Sequence, residues 1–279
     1  MAFIKPEIYA PIVTEKFKGK VRISNLADDL GLLSGSVGET VSFPMFNKIG
    51  NAKEMVKGEG IDEEELTQVE NKATIKQVSA PGVVVYDIEN LTALGNQLDN
   101  GASQQGTVIA RKVDSDLIAE CDKTTLKVAT ASATEVTANE LNQGLMMFGD
   151  EQDTEEIGGI IINSMVSGSF YRMIEFTDAG KTYNGVNGNG IVKNGVIGYF
   201  RGIPVILSDK DTLDSTKSEC KTYIIKKHAL GKMFKSEKVC DVEFERQAKY
   251  KRTAIYTDSV YAVKLLDQEG VVLLRKTIA

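Results

Sequence analysis

Apolar positions along the chain change period several times, and each change marks a predicted element. Ile109, Val113, Leu117 and Cys121 recur every four residues, with Ala110 and Ile118 beside them and Arg111, Lys112, Asp114, Asp116 and Glu120 between. That period predicts an amphipathic helix of about 20 residues, roughly 30 Å long. A shorter helix is predicted just before it from Ile88, Leu91, Leu94 and Leu98, closed by Asn100-Gly101. Thr137-Ala-Asn-Glu140 is a capping box, and the helix it opens should bury Leu141, Leu145 and Phe148 before Gly149. Strands are predicted at Thr124–Ala131, at the apolar run Ile157–Ile162, and at Val196–Phe200 and Ile203–Leu207 around an Arg201-Gly202 turn. Asn163 is placed to cap the turn after Ile162. Further strands are predicted at Thr222–Lys226, Val239–Phe244, Ser259–Leu266 and Val271–Leu274, the last two joined by a turn at Asp267–Gly270. Such irregular interleaving of helices and strands predicts an α+β fold.

The first third reads differently. Pro6 and Pro11 disfavour a helix at the start, so the segment to about Gly35 is expected to be an extended arm. Within that segment the arm should give way to a short helical stretch through Ala27, Leu30 and Leu33, before Gly35. Glu39–Asn47 and Ala73–Tyr86 are rich in Val, Ile, Phe and Thr, and the span between them is polar and acidic. The pattern predicts a long two-stranded arm over Ser36–Asp87. Pro44 and Pro81 require edge-like or bulged strands where they fall, because proline donates no ladder hydrogen bond. A two-stranded hairpin is marginal alone in water, so the arm must lie on its own chain or on a neighbouring copy.

Composition narrows the function classes. The net charge of −6 argues against a dedicated nucleic-acid binder, though not against a protein that encloses nucleic acid. No apolar run approaches the ~20 residues that span a bilayer, and the start lacks a signal peptide's apolar core, which suggests a soluble intracellular protein. Cys121, Cys220 and Cys240 are odd in number and widely spaced, and read as buried reduced thiols. His228 is the single histidine and has no G-x-S-x-G elbow to serve, so it reads as a surface or strand-end residue rather than a catalytic base. Gly185–Gly190 lacks the phosphate-loop pattern and reads as part of a turn cluster. Asp62–Glu65 lacks calcium-loop spacing, and Glu243 and Glu245 read as the wet face of a strand. No catalytic residue, metal site or cofactor is expected.

Charge is segregated instead. Residues 54–70 carry seven carboxylates and one lysine, net −6, whereas residues 217–252 carry eleven cations and five carboxylates, net +6. Patches of opposite sign suit a contact whose register is set by electrostatics. The candidate intersubunit contacts are Glu59, Asp62, Glu63, Glu64 and Glu65 on one side and Arg246, Lys249, Lys251 and Arg252 on the other.

Three stretches carry a family resemblance: Leu30–Pro44, Gly198-Tyr-Phe-Arg-Gly-Ile-Pro-Val-Ile-Leu-Ser-Asp209, and Val239–Arg246 followed by Thr253–Leu266. In this order and spacing they resemble the major capsid proteins of tailed bacteriophages, which share the Hong Kong 97-type fold. The resemblance implies an N-terminal arm (1–35) and an extended hairpin loop (36–87). It also implies a peripheral domain with a long spine helix (88–136 and 221–279) and an axial domain (137–220). Copies would form pentamers and hexamers in an icosahedral shell that encloses double-stranded DNA without reading its sequence. The protein would assemble in the host cytoplasm and reside in the virion. A separate scaffold, or none, is implied, with portal and decoration proteins as further partners; no crosslinking chemistry can be assigned. Two other readings compete: an encapsulin-like compartment shell, and a soluble hydrolase or ligand-binding protein.

Overall fold

The structure is a computed structural model. It describes residues 6–46, 54, 60, 63, 65, 68–88, 97–150, 152–177, 195–216, 218–236 and 239–278. The turn cluster at 184–194 and the segment 89–96 lie outside the described residues.

The chain opens with helix α1 (Pro6–Lys18), where an extended arm was expected. Tyr9, Val13 and Phe17 lie four residues apart and are buried, while Pro11 points to solvent. Proline removes one backbone donor and crowds the preceding turn. Burial of three large side chains, each contributing about 1.5–3 kcal/mol, outweighs that penalty. The residues after it form strand β1 (Asp28–Leu32) rather than a helix. Gly31, at φ 103°, is incompatible with a helical run there.

Strand β2 (Thr40–Phe46) pairs antiparallel with β3 (Gln68–Thr74) as a separate two-stranded ribbon. The second strand of the expected arm does not run unbroken to Tyr86. It stops at Thr74, and β4 (Lys76–Tyr86) turns into the body to pair with β12 (Arg252–Leu265). Pro81 sits in a bulge, as proline in a strand requires: Pro81 and Gly82 lie opposite the single residue Tyr256. Among the described residues the β2–β3 ribbon has no third strand, which also accommodates Pro44.

Helix α2 (Gln97–Cys121) is the predicted spine, but it starts earlier and runs straight through Asn100-Gly101. These glycines serve packing here and do not terminate the helix. A Cβ on Gly101 would approach Val83 at 3.2 Å and the Tyr9 hydroxyl at 3.3 Å. One on Gly106 would lie 2.9 Å from the Val13 carbonyl oxygen of α1. Buried Gln105, between them, accepts from the Tyr9 hydroxyl at 3.0 Å and the Thr257 hydroxyl at 2.9 Å. Its amide donates to the Pro81 carbonyl at 3.2 Å and the Ile255 carbonyl at 3.1 Å, which holds the bulge open.

Strand β12 organises the first sheet. One edge pairs with β4, and along the other β11 (Asp241–Gln247) and β10 (Leu230–Phe234) follow one another. Strand β1 joins β10 in parallel. The second sheet has the order β5-β13-β9-β6-β8-β7. Its strands are β5 (Leu126–Ala129), β6 (Ile157–Ile162), β7 (Val196–Phe200), β8 (Ile203–Leu207), β9 (Thr222–Lys226) and β13 (Val271–Arg275). Ile161, Tyr223, Ile225, Val271 and Leu273 face the core beneath α2, whereas Ile160, Ile162, Ile224, Val272 and Leu274 face a second core under α3 (Ala138–Met146). Burial on both faces explains why these strands read as unbroken apolar runs. This sheet draws strands from 126–136, from 137–220 and from 221–279, so it bridges the segments on both sides of 137 and 220.

The capping box forms as read, with the Thr137 hydroxyl accepting from the Glu140 amide and Glu140 accepting from the Thr137 amide. Asn163 accepts from the Met165 amide at 3.0 Å, and Arg201 and Gly202 take positive φ in the β7–β8 turn.

Candidate assembly interface

The ribbon is rooted in its own subunit. Phe43, Ala73 and Ile75 pack against Leu33 and Ala262, with Val41, Met233, Val260 and Leu266 around them. Phe43 is 1% exposed, and the Asn71 amide donates to the Leu265 carbonyl at 2.7 Å. Of the two supports expected for the arm, its own chain supplies one at the base, where the first sheet provides the burial. Beyond Phe46 and before Gln68 the described residues are Glu54, Gly60, Glu63 and Glu65, all exposed.

Glu63 and Glu65 keep the exposure that an external contact needs, while Glu59, Asp62 and Glu64 lie outside the described residues. The cations of the other side are partly committed within the chain. Arg246 forms a fork to Asp87, at 2.7 and 2.6 Å, and holds that carboxyl below the usual carboxylate range. Arg252 donates to the Gln247 side-chain Oε1 at 2.6 Å and the Tyr86 hydroxyl at 3.1 Å, and stacks over Tyr250 at 5.0 Å. Lys249 lies 5.8 Å from the Tyr250 ring centre, and Lys251 is exposed in a left-handed turn at φ 50°. Among the described residues no ion pair joins Glu63 or Glu65 to these four cations. The geometry brings the basic group together at the β11–β12 turn.

The outer face of the first sheet adds a feature that charge did not reveal. Val84, Tyr86, Tyr250 and Tyr256 are exposed large side chains on or beside β4 and β12. Aromatic anchors rimmed by charge, here Glu243, Glu245 and Arg252, are a common composition for a protein contact. Their separation in sequence hid them; the β4–β12 register, which pairs Tyr86 with Arg252, brings them together.

Chemistry is sparse elsewhere. His228 is exposed in the β9–β10 turn, with Nδ1 2.6 Å from an Asp28 carboxylate oxygen. All three cysteines are free and buried; burial raises each thiol, that of Cys240 to about 12. Among the described residues there is no group of three metal-ligating side chains, and no helix is long and apolar enough to cross a membrane.

No protein-family profile matches the sequence. Solved structures do match its fold. A chain of Mycobacterium phage Che8 superposes with a TM-score of 0.60 at 15% identity, covering 91% of this chain and 90% of that one. A virus-like particle from Pyrococcus furiosus gives 0.62 at 13% identity, covering 96% and 98%. The major capsid protein of Staphylococcus phage phiMR11 is 27% identical over 275 residues, 98% of this chain and 93% of that protein. The chain has the Hong Kong 97-type capsid fold. The β2–β3 ribbon rooted on the first sheet matches the extended hairpin loop expected from the sequence at its root, β2 and β3.

Proposed function

We infer that this chain is the major capsid protein of a tailed phage, many copies of which close into an icosahedral head around double-stranded DNA. The observation that carries the reading is a 27% identical match that spans nearly the whole of both this chain and a phage major capsid protein, on a chain with the capsid fold. The compartment-shell alternative shares the fold but has no comparable sequence relative. The role is structural, and the mechanism is many weak contacts repeated by symmetry, whose sum far exceeds any one of them.

Within that reading, residues 137–220 with the sheet they share form the axial unit that meets its copies at pentamer and hexamer centres. The first sheet and spine form the periphery. The loop between β2 and β3 crosses onto an adjacent subunit, with Glu59 and Asp62–Glu65 facing the Arg246–Arg252 turn of that neighbour. Its support is complementary charge and the exposure of Glu63, Glu65, Lys249 and Lys251. Arg246 and Arg252 then shape the basic turn through Asp87 and Tyr86. Assembly takes place in the host cytoplasm, with separate scaffold, portal and decoration proteins as partners. Nuclease treatment of purified particles, followed by analysis of their contents, tests the cargo: protected duplex DNA is expected, and a protected protein without DNA would favour a compartment.

A further inference from the structure

A cleft of about 860 Å³ opens between the loop after α1, the spine helix and the end of β8. Four cations line it from three separate parts of the chain: Lys20 and Arg22, Arg111, and Lys210. Ser103, Gln104 and Thr107 of the spine helix and Ser208 supply neutral polar groups along its walls. Two carboxylates share the lining, and both are engaged. Asp114 accepts the Arg22 and Ser24 backbone amides, each at 2.9 Å, and Asp209 accepts the Ser164 amide at 2.7 Å. Lys210 has a weak 3.9 Å pairing with Asp211, and Arg22 is fixed by donating to the Leu207 carbonyl while lying against Gly195.

We propose that this cleft binds the sugar-phosphate backbone of the enclosed DNA, so that this face of the subunit looks into the shell. The proposal rests on the capsid reading above. Lysine, arginine, serine, threonine and glutamine side chains are the groups that contact phosphates in nucleic-acid complexes, and they dominate this lining. A protein partner would call for apolar anchors, and among the described residues the cleft is lined by no aromatic residue and one exposed aliphatic, Val108. The net charge of −6 sharpens the point. A shell of such subunits repels DNA on average, so cations collected in one place give the duplex a local foothold without reading its sequence.

The test uses dissociated capsomers of the full chain and a fluorescent 30-base-pair duplex, with binding followed across salt concentration. The double variant K20Q/R111Q is compared with wild type and with K123Q, a lysine paired to Glu120 on another surface. Arg22 is left intact because it holds the loop. Each lost phosphate contact lowers the slope of log K against log salt by about 0.9, so the double variant should lose about 1.8 and K123Q nothing. The double variant should still close particles under the electron microscope. An unchanged slope, or wild-type capsomers that fail to bind the duplex, overturns the proposal. So does a double variant that no longer closes particles, since the cleft would then hold a neighbouring subunit. Wild-type protein that forms no particles at all counts instead against the capsid reading.

Discussion

Gln105 is the residue on which three elements converge, since its amide meets α1, the β4 bulge and β12 at once. Replacing it with leucine keeps the volume but strands two hydroxyls and two carbonyls. Q105L should lower the unfolding free energy by about 2–4 kcal/mol, read by urea denaturation, and a loss under about 0.5 would show that the partners find other bonds. Asp114 makes a pH prediction. Burial raises its carboxyl against the two backbone amides it accepts, so the folded state holds the proton more tightly than the unfolded chain. Its contribution to stability is therefore full below the ordinary carboxylate value near 3.8 and is lost as pH rises through the higher folded value. The wild-type minus D114N difference curve should fall with rising pH across that interval; a flat curve would contradict the assignment. Asp116 goes the other way. Burial pushes it up, but the Tyr261 hydroxyl, Lys112 and Lys76 outweigh that and hold it low. Apart from Lys112–Asp116, an i,i+4 pair on one helix, these partnerships were not legible in the sequence, because most join residues at least 90 positions apart and the others, Gln105–Pro81 and Lys76–Asp116, depend on how β4 packs on the spine.

At the scale of elements, the sequence was legible where the signal is local. The Thr137–Glu140 cap, the Arg201-Gly202 turn and the doubly buried strands follow from neighbours within a few residues. Reading failed where tertiary contact overrides a local rule. Pro11 hid α1, Asn100-Gly101 hid the true start of the spine, and Leu230–Phe234, whose burial does not alternate, gave no strand signal. The arm was overextended for a related reason: β3 and β4 are both strands, and only the pairing with β12 shows that the chain has left the ribbon at Ile75. Helix packing gives a prediction at this scale. In G106V the new side chain meets the α1 backbone, so α1 should lift from the spine. Thermal unfolding should show a loss of about 1–3 kcal/mol, with faster proteolysis after Lys16 or Lys18. Unchanged protease resistance would mean that α1 accommodates the bulk by shifting.

For the whole molecule, the ribbon divides into a root held by its own subunit and a loop whose described acids Glu63 and Glu65 are exposed and form no ion pair with other described residues. Changing Glu63, Glu64 and Glu65 together to lysine should weaken assembly at low and moderate salt while leaving subunit unfolding nearly unchanged. Normal assembly of that variant would remove the electrostatic role of the loop. Deleting 50–65, which spares the paired strands, should leave a cooperatively folding subunit that closes no particles. Loss of cooperative unfolding would instead place the loop in the subunit's own core. The most direct test is electron microscopy of the purified full-length protein at concentrations where subunits meet. Closed icosahedral particles built from pentamers and hexamers are predicted, whereas a population that stays as separate single chains would contradict the account.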